Sequence, residues 1–139
     1  MSVTLVLALM IGAPGAKNPP PKADRLFGIW VMQSVAVAGT VHPEVDDRRW
    51  EFLADGTHMR YVGDEKIWKK GLPYSVEPRI KPAALNIGEF GPSLAIYKID
   101  GDTLTICVAQ NARKTRPTDF ETPKDMDTCL YVFKRLKTD

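Results

Sequence analysis

Two Asp-Gly pairs, each set between runs of alternating apolar and polar residues, constrain this chain more than any other feature. Asp-Gly is favoured in two-residue hairpin loops, where both central residues need positive φ. With Asp55 and Gly56 as the loop, Phe52 is expected opposite Met59 and Trp50 opposite Tyr61 on one face. Glu51 then faces Arg60, and Leu53 faces His58, on the other. With Asp100 and Gly101 as the second loop, Tyr97 meets Leu104 and Ala95 meets Ile106, leaving Lys98 beside Thr103 and Ile96 beside Thr105. Both turns separate an apolar face from a wetted one, the pattern of antiparallel strands with a single buried face.

The runs Phe27 to Ala38, Lys66 to Val76, Ala83 to Ile87 and Thr128 to Leu136 extend the scheme, with Pro73 expected at an edge or bulge because it cannot donate to a ladder. That makes about eight strands, and no segment longer than a turn or two has helical periodicity. A meander of eight strands removes its open edges by closing on itself, so the expected fold is all-β, an antiparallel up-and-down barrel. An open sandwich is the competing arrangement.

Before the strands, MSVTLVLALMIGAPGA carries no charged side chain and has an apolar run from Val3 to Ile11 followed by small residues. This is the outline of a secretory signal over 1–16, although its start has no Lys or Arg; a buried N-terminal strand is the alternative. The run falls short of the roughly 20 apolar residues a membrane span requires. A proline-rich linker is expected over 17–24 and the barrel domain over 25–137. Nineteen Lys and Arg against seventeen Asp and Glu give a net charge of +2, too balanced for a nucleic-acid surface.

Gly28-x-Trp30 on the first strand, the hairpin meander and Lys134-Arg135 on the last strand resemble the lipocalin and wider calycin pattern. Closer still, LFGIWVMQSV, YKIDGDTLTICVA, RPTDF and LYVFKR resemble exported, uncharacterised lipocalin-like domains found mainly in planctomycetes. The likeness spans roughly residues 25 to 137. It implies a barrel whose floor is closed by Trp30 beneath a basic side chain, Arg135, and an exported location. It implies no activity. Gly28 would then permit a close backbone approach or a bend, and a guanidinium over the indole would add about 0.5–2 kcal/mol. The chain departs from lipocalins proper in having no credible helix before its last strand, since 110–127 contains Pro117 and Pro123.

No catalytic constellation is visible: Ser34, Ser75 and Ser93 lack a nucleophile elbow. His58 is expected to face outward and His42 to lie in a polar loop near Glu44, Asp46 and Asp47, with no metal-ligand spacing. No metal or other cofactor is expected. Cys107 is expected outward. If Arg135 caps Trp30, Cys129 points inward and the two cannot reach disulfide geometry; the alternative register of the last strand places both sulfurs outside and permits the bond.

An eight-stranded barrel either fills with side chains or holds one small ligand. The expected cavity residues are Trp50, Tyr61 and Tyr97, with Arg116 in a loop, 110–127, that would cover one mouth and offer Arg113, Lys114 and Arg116 to an anion; a solvated basic loop is the plainer reading. The first functional expectation is therefore an exported module binding a small apolar molecule or peptide. A filled barrel acting through its outer surface in the cell envelope is the second, and an enzyme the third.

Overall fold

The computed structural model of the chain describes residues 23–43, 45–89, 91–109, 115–122 and 128–137. The expected signal segment, 1–16, lies outside the described residues, as does the linker up to residue 22. Ala23 and Asp24, the end of that expected linker, open a 3-10 helix at Ala23–Leu26. Ten strands follow among the described residues: β1 (Gly28–Val37), β2 (Thr40–His42), β3 (Arg48–Phe52), β4 (Thr57–Val62), β5 (Glu65–Lys66), β6 (Leu72–Glu77), β7 (Ala83–Ile87), β8 (Ser93–Asp100), β9 (Thr103–Ala109) and β10 (Thr128–Arg135). No described helix is long and apolar enough to cross a membrane.

The fold is a closed antiparallel barrel of eight strands, in the order β1, β3, β4, β6, β7, β8, β9, β10, with β10 pairing back onto β1. β2 and β5 are short additions to β1 and β4. Closure follows from the alternation seen in sequence: every ring strand has one apolar face, and rolling the sheet up buries all eight against one another. The run expected as one strand over 66–76 is broken, because 67–71 leaves β5 before β6 begins. Pro73 sits where the wall is thinnest, at a β4–β6 seam held by the two register pairs Thr57↔Pro73 and His58↔Leu72.

The two hairpins miss their expected registers by different amounts, with different consequences. At the second, the loop is Gly101 and Asp102, with Asp100 opposite Thr103 and Tyr97 opposite Ile106. Gly101 takes the positive φ of 63°, as a type II′ turn requires at its first position. The offset is two residues, so every side chain keeps its expected face. At the first, Leu53 N donates to Thr57 O and Gly56 N to Leu53 O, making a three-residue loop with Gly56 at φ 90°. The Asp55 carboxylate also accepts from Thr57 N at 3.0 Å. Phe52 now pairs with His58 and Trp50 with Arg60. A slip of one residue inverts a strand. His58 and Arg60 therefore turn inward, while Met59 and Tyr61 turn outward, contrary to expectation.

Trp30, Arg135 and Gly28 meet at one end of the barrel. Trp30 is fully buried, its indole N–H donating to Leu26 O at 3.0 Å, and the Arg135 guanidinium stands 4.1 Å above its ring centroid. Arg135 also donates to Phe27 O at 2.9 Å and Arg25 O at 2.7 Å, tying the helix to the last strand. Gly28 answers to this cap in two ways: its φ is 121°, a backbone state that side chains rarely adopt, and a Cβ there would lie 3.4 Å from Arg135 Nη1.

The segment 115–122 crosses the outside of the barrel. An outward row runs across five strands through Ala36, Leu130, Cys107, Ile96 and Ala84, and four of these, all but Leu130, are buried despite facing away from the core. Glu121 O accepts from the Cys107 thiol at 3.9 Å and from Thr128 Oγ1 at 3.5 Å, while Gly39 N donates to Thr122 Oγ1 at 3.2 Å. Arg116 anchors the other end, donating to Leu85 O, Ala95 O and Asn86 Oδ1 at 3.2, 2.8 and 2.7 Å. This corrects the expectation of a mouth cover: small and apolar outward residues need covering, and the strap covers them. With three charge-assisted bonds lost, Arg116→Ala is expected to lower the unfolding free energy by about 2 kcal/mol in urea titrations.

Cys107 and Cys129 are both buried thiols. They occupy opposite faces of adjacent strands, Cys107 opposite Leu130 and Cys129 opposite Val108, so they cannot bridge. The register in which Arg135 caps Trp30 is the one observed.

Candidate functional site

β4 sends two polar side chains, His58 and Arg60, into the barrel. Trp50 and Phe52 on β3 project inward, and the three-residue turn places Arg60 and His58 beside them. His58 is fully buried, its ring stacked on Phe52 at 4.5 Å and edge-on to Trp50 at 5.1 Å. Arg60 Nε stands 3.0 Å from His58 Nε2, and His58 Nδ1 stands 3.0 Å from Glu51 O. A guanidinium only donates, so Nε2 must accept and Nδ1 must carry the proton that goes to Glu51 O. The imidazole is thereby held neutral. Burial, and after it the Arg60 charge, draws its pKa from 6.5 down to about 3, with the bond to Glu51 working the other way.

Arg60 lies between two indoles, its Cζ 3.8 Å from the Trp50 ring centroid and 5.0 Å from that of Trp68. Trp68 comes from 67–71, a connection at the end opposite the floor. Tyr131 packs on Trp50 at 4.8 Å. Burial lowers the Arg60 pKa to about 10, and Tyr131 opposes that shift. Removing a guanidinium from water costs several kcal/mol unless it is compensated. Here each indole face returns about 0.5–2 kcal/mol. Among the described residues, no carboxylate forms an ion pair with Arg60. Its Nε is spent on His58, and its Nη donors meet no acceptor among those residues. Such a planar fork of donors has the geometry that pairs with a carboxylate or another oxyanion.

The four expected cavity residues do not converge. Trp50 belongs to the cluster. Tyr61 is on the outer face, donating to Glu51 Oε1 at 2.6 Å, a bond that helps raise its pKa to about 12. Tyr97 faces inward but borders a pocket at the floor end. Arg116 holds the outer strap, and Arg113 and Lys114 lie outside the described residues. The expected floor residues Gly28, Trp30 and Arg135 do come together. His42 is exposed on β2, and its neighbour Glu44 lies outside the described residues. Among the described residues, no group of three His, Cys, Asp or Glu side chains is placed to hold a metal.

Sequence reasoning missed His58, Arg60 and Trp68. A three-residue loop with glycine last is also a common hairpin connection, but it points a histidine and an arginine at the core, and the alternation rule selects against that. Trp68 carried no signal, since it lies outside regular structure. A comparison of the chain with known proteins finds no matching family model and no matching curated protein.

Proposed function

We propose that the protein is a small-ligand-binding module whose barrel interior, at the end opposite the floor, takes a molecule with an apolar body and an anionic head. The carrying observation is the inward guanidinium of Arg60, stacked between Trp50 and Trp68 and without a carboxylate partner among the described residues. Its Nη groups suit a carboxylate or sulfonate, and the aromatic rings around it suit an apolar body. The resemblance to exported barrel domains extends this reading to a protein working outside the cytoplasm. Fractionation of the native host tests that part.

Anilinonaphthalene sulfonate, an anionic fluorophore, is the probe. Arg60→Met should weaken its binding at least tenfold, and should also cost about 1–3 kcal/mol of stability because the buried His58 Nε2 loses its donor. Unchanged near-ultraviolet circular dichroism would show that the barrel is intact. The uncharged analogue N-phenylnaphthylamine should bind the wild type weakly and be indifferent to the substitution. Equal binding of the sulfonate to both proteins would overturn the proposal.

A filled barrel acting through its outer surface is the second reading. The complete burial of Trp30, Phe52, Leu104 and Phe133 favours it. It requires that neither fluorophore binds the folded protein.

A further inference from the structure

A pocket of about 270 Å³ opens at the floor end, between the 3-10 helix, the connection 78–82 and the end of β8. Its lining shares no residue with the Arg60 cluster, and its interpretation does not depend on that site. Three features set its chemistry. The first is charge: Arg25 and Lys81 border it, and neither forms an ion pair among the described residues, while the ammonium of Lys98, a third bordering residue, stands 4.6 Å from the Phe120 ring centroid. The nearest carboxylate, Glu77, is already held by Arg79, whose Nε and Nη2 approach its two oxygens at 2.9 and 3.0 Å.

The second feature is an unmet donor. Tyr97 lines the pocket and is only 4% exposed, yet its hydroxyl makes no hydrogen bond among the described residues. Tyr74, by contrast, donates its hydroxyl to Leu53 O at 2.7 Å. Buried hydroxyls nearly always have a partner, and one left over in a cavity indicates water or a ligand. Burial raises the Tyr97 pKa, with Arg25 opposing, so the group remains a donor at neutral pH. The third feature is shape. Pro82, Ala83 and Ile99 supply apolar walls to the pocket, and the volume is at the small end of ligand pockets.

We propose that this pocket binds a small organic monoanion, a carboxylate on a compact apolar or aromatic body, with the Tyr97 hydroxyl donating to the carboxylate and Arg25 and Lys81 supplying the surrounding positive charge. Benzoate is a probe of suitable size. Titrated into the isotope-labelled full chain, it should shift the backbone amide resonances of Ala83, Tyr97 and Lys98 together and saturably.

Tyr97→Phe removes only the hydroxyl and should weaken benzoate about tenfold, the scale of one hydrogen bond to a charged group. Arg25→Gln, at an exposed side chain, should weaken it severalfold, and benzamide should bind far less well than benzoate. Arg60→Met should leave the benzoate shifts unaltered, which keeps this site distinct from the one at the other end. The proposal is overturned if benzoate leaves these three amides unmoved, if Tyr97→Phe binds it as tightly as wild type, or if benzamide matches benzoate. Either of the first two would assign the Tyr97 hydroxyl to water alone, and the third would show that the pocket does not select an anion.

Discussion

Trp30→Ala is expected to remove about 3–5 kcal/mol of stability, the range for truncating a large buried aromatic, read as a lower urea midpoint with the slope unchanged. Three losses combine. The indole leaves a cavity in the layer it shares with Trp50, its cross-strand neighbour on β3. Leu26 O loses the N–H donated at 3.0 Å. Arg135 loses the ring beneath its guanidinium. Because Arg135 also ties Phe27 and Arg25 to β10, the damage should extend to the 3-10 helix, detected as faster amide exchange at Leu26 and Phe27. Trp30→Phe keeps an apolar ring but cannot donate, and should fall between wild type and alanine. A loss below about 1 kcal/mol in the alanine variant would show that the indole does not support the floor.

The pH dependence of stability should be dominated, above the carboxylate range, by His58. Its pKa is about 3 in the folded protein against 6.5 when unfolded. Between these values the unfolded chain binds a proton that the native state refuses, so stability is full above about 6.5 and falls as the pH drops. At about 1.4 kcal/mol per pH unit, the whole interval amounts to roughly 4–5 kcal/mol, of which about 2 kcal/mol should be lost between pH 7 and pH 5. His58→Gln cannot titrate, and its stability should be nearly flat over those two units, although lower overall. Glu77, held down to about 2 by Arg79, contributes only at more acid pH, where its stabilisation is lost as the carboxylate protonates. Parallel slopes for wild type and His58→Gln between pH 7 and pH 5 would show that the imidazole takes up a proton without unfolding.

The hairpins show how far alternation can be read. At Asp100-Gly101 the pairing was misplaced by two residues, an even number, and Tyr97, Leu104 and Ile106 still fell on the correct face. At Asp55-Gly56 the error was a single residue, and all of β4 inverted. Alternation judges registers by how apolar the inner face is. The native register of β4 scores worse, because it directs a histidine and an arginine inward. Local rules fail most readily where a fold departs from its own pattern, and such departures concentrate at functional sites. Phe52, Trp50 and Trp68 make the departure tolerable by surrounding the polar pair with rings contributed by two separate stretches of chain, β3 and 67–71.

Read alone, the chain determined the all-β class, about eight antiparallel strands and one apolar face on each, which favours closure over an open sandwich. These follow from period-two patterning and turn residues, which act between neighbours a few positions apart, whereas the grouping of Gly28, Trp30 and Arg135 was what the resemblance to the lipocalin pattern implied. Only the tertiary structure decided which way β4 faces, that 115–122 straps the outer wall, and that Tyr97 belongs to a different end of the barrel from Arg60. Each depends on where distant segments pack, and the free energy that selects among such packings is shared among side chains far apart in sequence.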